Sequence, residues 1–115
     1  MAHGADGVNA AWQDDSTVAH IMDGLSDFGF VECRPFFSGW SLRHQGVQFA
    51  MVIGDQLYFS VEGALREELV AQGSEPFTYG KGGRTTVVAK YQTAPLICLE
   101  DPDELCRWVK RLVLR

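Results

Sequence analysis

The sequence has no hydrophobic run that approaches the ~20 residues a membrane-spanning helix needs. Its opening residues, Met1-Ala2-His3-Gly4-Ala5-Asp6-Gly7, have neither the basic residues nor the apolar block of a signal peptide. The three cysteines, Cys33, Cys98 and Cys106, form no C-x-x-C pair, which excludes a disulfide framework or a zinc site recognisable from spacing. We therefore expect a cytoplasmic protein with reduced thiols and no membrane partner.

Basic side chains are also scarce. Ten Lys and Arg face fifteen Asp and Glu, for a formal net charge of -5. Because binding to nucleic acid through its phosphates needs a basic surface, this balance argues against bulk electrostatic binding of DNA. The shortage is uneven, since residues 81–115 hold seven basic and four acidic side chains. Only this C-terminal third is suited to face an anion.

What is present has the composition of one globular domain. The chain has 115 residues, of which 46% are hydrophobic and 22% are charged, and its mean hydropathy is -0.06. This length and composition are sufficient for a single core. Residues 1–14 are mostly small and polar and have no periodicity, so we expect a loose N-terminal tail there and one domain over residues 15–115.

Three segments have apolar residues at helical spacing: residues 15–28, 64–72 and 101–113. Asp15 or Ser16 is a plausible N-cap of the first helix, and Gly73 can close the second. Asp101-Pro102-Asp103-Glu104 combines an N-cap acid, a proline at the first helical position and carboxylates that complement the helix dipole. The final helix is expected to begin there.

The other segments predict strands. Residues 36–61 are rich in aromatic and branched side chains and are divided into three strands by His44-Gln45-Gly46 and Gly54-Asp55. A second hairpin flanks Gly80-Lys81-Gly82-Gly83-Arg84. The element order is therefore α-β-β-β-α-β-β-α. It predicts a two-layer α+β domain whose mainly antiparallel sheet is covered by helices on one face.

The alternation along the central strands predicts two different sheet faces. Alternate residues of two neighbouring strands are apolar and should point to the same side of the sheet, so we expect them to form its buried face. They are Phe49, Met51, Ile53, Leu57, Phe59 and Val61. The opposite face would carry Trp40, Ala50, Val52 and Tyr58. An apolar face that no helix covers commonly marks a protein interface, and these four residues are the predicted interface.

A second candidate surface is basic. Lys81 and Arg84 lie on the glycine-rich tip of the second hairpin, and Arg107, Lys110 and Arg111 lie on the final helix. If these side chains converge, they form a contact for an anion or for DNA. The alternative is a mobile turn together with a solvated helix face whose cations favour the helix C-terminus.

Catalytic chemistry finds little support in the sequence. Cys33 and His44 could serve as nucleophile and base only if they met in space with a third group to orient the imidazole. Free cysteines more often pack as small hydrophobes, and Asp101, Asp103 and Glu104 are explained by helix capping. We predict no catalytic residue, no metal site and no cofactor.

Several blocks of the chain resemble the N-terminal domain of the TfoX competence-regulator family. They are the strand block 36–42, the hairpin 46–52, the strand 56–59, the segment 71–79 and the residues 99–105. Gly-Ser-Glu-Pro-Phe-Thr-Tyr, residues 73–79, is the most specific of them. Members usually carry Met-Phe-Gly-Gly in the first strand, whereas this chain has Phe36-Phe37-Ser38-Gly39, with Ser38 in place of a glycine.

The resemblance implies a secretion-chaperone-like α+β fold and a role in regulating DNA uptake. Family regulators act with the cyclic-AMP receptor protein at competence promoters, and no enzymatic activity is implied. We expect a stand-alone domain, without the C-terminal helical domain of longer members.

The leading hypothesis is a non-enzymatic regulatory domain that binds a protein, namely the cyclic-AMP receptor protein or the transcription machinery. One alternative is a small-molecule-binding domain or weak enzyme with a pocket between sheet and helices. Self-association as a homodimer and direct DNA contact through the C-terminal third are the others, the last disfavoured by net charge.

Overall fold

The computed structural model describes residues 11–114, which form one antiparallel sheet with helices against it. Residues 1–10 of the predicted tail lie outside the described residues. The elements are a 3-10 helix Ala11–Asp14, α1 Ser16–Gly24, β1 Glu32–Phe36, β2 Gly39–His44, β3 Val47–Ile53, β4 Gln56–Ser60, α2 Gly63–Ala71, β5 Pro76–Lys81, β6 Arg84–Thr93, α3 Ile97–Glu100 and α4 Pro102–Val113.

The sheet order is β1-β2-β3-β4-β6-β5, and each neighbouring pair is antiparallel. Helices α1 and α4 pack on one face, where the indole of Trp108 stacks on Phe59 at a centroid distance of 5.9 Å. The predicted two-layer α+β class is confirmed. Within the described residues, no helix is long and apolar enough to cross a membrane.

The predicted caps are present. The side chain of Asp15 accepts hydrogen bonds from the backbone amides of Thr17 and Val18, and that of Asp101 accepts one from Asp103. Helix α1 nevertheless ends at Gly24, and residues 25–28 continue as turns rather than as helix. Trp12 of the 3-10 helix packs against the core, so ordered structure begins within the segment assigned to the tail.

Besides the 3-10 helix, two elements were not predicted from the sequence. Strand β1 contains Pro35 together with the charged Glu32 and Arg34, so its sequence does not have the pattern typical of a strand. Proline is tolerated in a sheet only at edges and bulges. As the first strand of the sheet order, β1 is such an edge. The other element is the short helix α3.

A β-bulge at Phe49 changes which side chains of β3 meet the helices. Leu42 pairs with Ala50 but the next residue, Arg43, pairs with Gln48, so Phe49 is an extra residue in the ladder. The helix-side core contains Phe49, Leu57, Phe59 and Val61 as predicted, together with Ala50 and Val52. Met51 is buried on the opposite face, and Ile53 there is only half-buried.

Candidate functional site

The four residues of the predicted interface do not share one surface. Ala50 and Val52 are buried in the helix-side core, and Trp40 is half-buried against it. Tyr58 alone faces the other side of the sheet. The bulge at Phe49 is the physical reason, since one extra residue exchanges the two faces of a strand. The prediction is therefore corrected: Trp40, Ala50 and Val52 belong to the core, and only Tyr58 lies on the open face.

The open face is covered in part by the chain's own β5–β6 hairpin. The end of β6 pairs with β4, whereas its beginning, residues 84–88, pairs only with β5. Strands β1 and β5 are the two edges of the sheet and would lie about 24 Å apart if it were flat. Yet the ring of Phe37, directly after β1, lies 6.1 Å from the ring of Phe77 in β5. The sheet therefore curls so that side chains at its two ends meet across the open face, while the backbones of β1 and β5 do not pair.

The rings gathered there form what we call the aromatic patch: Phe36, Phe37, Tyr58, Phe77 and Tyr79. Their centroids lie 4.6 Å apart for Phe36 and Phe37, 5.3 Å for Tyr58 and Phe77, and 6.4 Å for Phe37 and Tyr79. These separations are those of favourable aromatic pairs. Phe77 is buried, but Phe37 is 67% exposed and Tyr79 is 42% exposed. The patch therefore has a buried base and an accessible rim.

Phe37 is unusual in its backbone as well as its exposure. It has φ 54°, in the left-handed region that costs a side-chain-bearing residue roughly 1–2 kcal/mol. It is the first residue of the two-residue turn between Phe36 and Gly39, a position that ordinarily takes glycine in a turn of this kind. A bulky ring held in that conformation at the surface is typical of functional positions.

The structure also explains the glycine pair at this turn. A Cβ on Gly39 would lie 1.9 Å from the carbonyl oxygen of Val52, so no side chain fits there. Ser38, which replaces the other family glycine, is not among the residues with positive φ. The steric requirement therefore rests on Gly39, and Ser38 leaves the turn intact.

The five predicted basic residues fall into two groups on opposite faces of the sheet. On α4, Arg107 bonds to Glu104, and Arg111 donates two hydrogen bonds to Glu68 at 2.9 and 2.6 Å. Lys110 lines a shallow depression that also contains Asp27 and Asp103. The cations of this helix are therefore balanced by nearby carboxylates, and they do not converge with those of the hairpin.

On the hairpin, Lys81 and Arg84 stand directly opposite each other beside the two-residue turn. They lie on the same side of β5 as Tyr79 because side chains two residues apart share a face. Within residues 11–114, neither has a carboxylate within ion-pair distance. The aromatic patch thus continues into an unbalanced basic tip.

A cleft of about 390 Å³ lies between α2, the loop 72–75 and the end of β6, and it includes part of the most specific family segment. Its polar groups bond to one another: the Ser74 hydroxyl donates to the carbonyl oxygen of Thr93 at 2.6 Å, and the Thr93 hydroxyl accepts from the amide of Glu75 at 3.0 Å. Pro95 and Leu96 form part of its wall. These bonds fix the start of β5 and leave few polar groups for a ligand.

The thiols are poorly suited to nucleophilic chemistry. Burial, helped by Asp15, raises the pKa of Cys33 to about 12, and burial with Glu104 and Asp101 raises the pKa of Cys98 to about 12. Burial also raises the pKa of the half-buried Cys106. A ring nitrogen of His44 bonds to the carbonyl oxygen of Phe30 and not to a thiol. Residues 11–114 contain no group of three metal-ligating side chains.

The geometry defines a small α+β domain whose most distinctive surface is an exposed aromatic patch beside a basic hairpin tip. The family model of the TfoX N-terminal domain matches residues 23–113, and the chain belongs to this family. No curated protein matches the chain. Apart from Tyr58, the patch was not predicted from the sequence, although the alternation of Phe77 and Tyr79 along β5 indicates two rings on one face.

Proposed function

We propose that this protein is a non-enzymatic regulatory domain that binds another protein through the aromatic patch. The main support is the conformation of Phe37, whose side chain is 67% exposed although its backbone has a positive φ of 54°. Folding gives only a weak reason to hold a phenylalanine there: its contacts with neighbouring rings are offset by the cost of the left-handed backbone, and most of the ring gains no burial.

The surroundings of Phe37 fit a binding role. Tyr79 stands beside it on the rim, and the buried Phe77 supports both rings from below. Aromatic residues supply much of the binding energy in protein interfaces, above all where neighbouring rings keep water away. A partner side chain placed across the exposed sides of Phe37 and Tyr79 would bury both rings without rearranging the sheet.

Family membership supports a role in the regulation of competence, with the cyclic-AMP receptor protein or the transcription machinery as partner. The competence role and the named partners are both proposals. They agree with a domain whose acidic net charge makes direct DNA binding unfavourable and whose candidate surface is aromatic. In this proposal the domain acts at promoters through protein contacts.

The experiment is a titration of the purified protein with the cyclic-AMP receptor protein and, separately, with RNA polymerase, followed by calorimetry. We expect saturable binding to one of them, weakened at least about tenfold by Phe37→Ala. Phe30→Ala is the matched control, because Phe30 is 79% exposed but is not part of the patch. Binding that Phe30→Ala and Phe37→Ala weaken equally would contradict the assignment of the surface, and absence of binding to both proteins would contradict the named partners.

The alternative is a small ligand in the cleft between α2, the loop 72–75 and the end of β6. Its volume of about 390 Å³ lies at the lower end of the range typical of small-molecule sites. A ligand that binds only the folded protein raises its melting temperature by mass action. A thermal-shift screen with a compound that stabilises the wild type but not Ser74→Ala would favour this alternative.

A further inference from the structure

The two edges of the sheet differ in how well they are protected from pairing with another strand. Edge strand β1 carries Glu32, Arg34 and Pro35, which are the charged and proline residues that natural sheets use to prevent edge pairing. Edge strand β5 has such features only at its ends, namely Pro76 with the irregular register beside it and Lys81, and the four residues between them have no charge and no proline. An unprotected edge of this kind is a template for an added strand.

The backbone of β5 offers hydrogen bonds at this edge. The turn Gly82–Gly83 has φ 60° and 78°, as in the two-residue hairpin turn whose flanking residues bond to each other. Bonded and non-bonded pairs alternate along an antiparallel ladder, so Lys81, Tyr79 and Phe77 bond to β6. Thr78 and Gly80 therefore point their N–H and C=O groups away from β6. These groups have no other partner among the described residues.

The charges next to this edge indicate which kind of segment could pair with β5. Lys81 and Arg84 lie at its end without carboxylate partners, on the side of the hairpin that carries Tyr79. An added strand would place alternate side chains on that same side. Carboxylates there would face the two cations, and an apolar side chain would lie against the rim of the aromatic patch. A second copy of β5 supplies no carboxylate, because the strand contains no acidic residue.

We propose that β5 accepts an extended, acidic segment of a partner protein as a seventh strand of the sheet. This inference rests on the proposed function and adds to it the conformation and the charge of the segment that is bound. Backbone bonds to Thr78 and Gly80 hold the segment, the rim rings receive its apolar side chain, and Lys81 with Arg84 select its carboxylates.

The experiment is a selection of random linear peptides displayed on phage against the full 115-residue protein, with binding of the enriched peptides measured by calorimetry. We expect enrichment of peptides that alternate Asp or Glu with apolar residues. Thr78→Pro removes one outward N–H while leaving the bonds to β6, so it should weaken binding at least about tenfold. Lys81→Glu should weaken it similarly, whereas Lys110→Glu on α4 is the matched control and should not.

Hydrogen exchange in the complex of the wild-type protein provides a readout that does not depend on the folding of a variant. The amides of Thr78 and Gly80 should exchange at least about tenfold more slowly with the peptide bound, while those of Tyr79 and Lys81 are already slow in the free protein. No enrichment of acidic peptides, or unchanged exchange at Thr78 and Gly80, overturns the proposal.

Two results would separate this inference from the proposed function. Peptide binding that Phe37→Ala weakens and Thr78→Pro does not would leave the aromatic patch as the binding surface and would overturn strand addition. Self-association of the wild-type protein that Thr78→Pro abolishes, measured by sedimentation, would identify a second copy as the occupant and would overturn the acidic segment.

Discussion

The two faces of the sheet both carry large aromatic side chains, but they expose them differently. Trp108 on the helix side is 6% exposed and stacks on Phe59, which is fully buried. On the other face Phe37 is 67% exposed although neighbouring rings lie close to it. A sheet face covered by helices therefore leaves less apolar surface exposed to solvent than a face covered by the sheet's own hairpin. Helices close the face, whereas the curled hairpin leaves a rim.

The largest effect should come from the helix side. Trp108→Ala removes a buried ring, its stacking on Phe59 and its contact with the guanidinium of Arg111, which lies 4.7 Å from the ring centroid. We expect the free energy of unfolding to fall by about 3–5 kcal/mol, measured by urea denaturation with circular dichroism. Tyr79→Ala on the rim is the comparison and should cost less than about 1 kcal/mol. Equal losses would remove the distinction between the faces.

A second large effect is expected at Gly39, where strand β2 approaches the backbone of β3 too closely for any side chain. Gly39→Ala would force a Cβ to within 1.9 Å of the carbonyl oxygen of Val52, so strands β2 and β3 must separate locally. We expect a loss of about 3 kcal/mol in the same denaturation experiment. Ser38→Gly, one residue earlier, restores the family glycine and should change stability by less than about 1 kcal/mol. A Gly39→Ala protein as stable as the wild type would contradict this backbone contact.

A variant on the open face should separate stability from binding. Phe37→Gly removes an exposed ring and relieves a left-handed backbone, so the two changes in free energy oppose each other. We expect the free energy of unfolding to stay within about 1 kcal/mol of the wild type, while affinity for the protein partner falls. A large loss of stability would mean that this ring has a structural role like that of Trp108.

The smallest effect is expected from the exposed ion pair between α2 and α4. Hydrogen bonds from Arg111 lower the pKa of Glu68 below its ordinary value of 4.5. A carboxylate whose pKa is lower in the folded protein contributes stability above the unfolded pKa, and that stability is lost as pH falls through the folded pKa. The difference in stability between wild type and Glu68→Gln should therefore shrink below pH 4.5. High salt should reduce it at neutral pH, and a difference that salt leaves unchanged would contradict a screened surface pair.

Local signals in the sequence predicted the starts of α1 and α4 and the end of α2, but not the end of α1. Asp15 and Asp101 cap their helices through their side chains, and Gly73 follows α2 with a positive φ of 95°. These features depend on a few neighbouring residues, so they can be inferred without knowing the tertiary structure. The same holds for the hairpin turn at Gly82–Gly83.

The candidate site could not be inferred in the same way, because it depends on register and curvature. One extra residue at Phe49 exchanged the two faces of β3, and strict alternation cannot reveal such a bulge. The approach of Phe37 to Phe77 depends on the curl of all six strands, which brings together residues 40 positions apart. Of the predicted interface only Tyr58 remains, and of the predicted basic contact only Lys81 and Arg84 adjoin the patch.

The tryptophan residues lie on only one of the two faces of the sheet, so their fluorescence reports on that face alone. All three tryptophans, Trp12, Trp40 and Trp108, pack against the helix-side core, and the aromatic patch holds only phenylalanine and tyrosine. Emission excited selectively from indole therefore reports unfolding and is insensitive to a partner seated on the patch. Tyr79→Trp would place a fourth indole on the rim, where a shift of its emission to shorter wavelength on complex formation would record the exclusion of water from this surface.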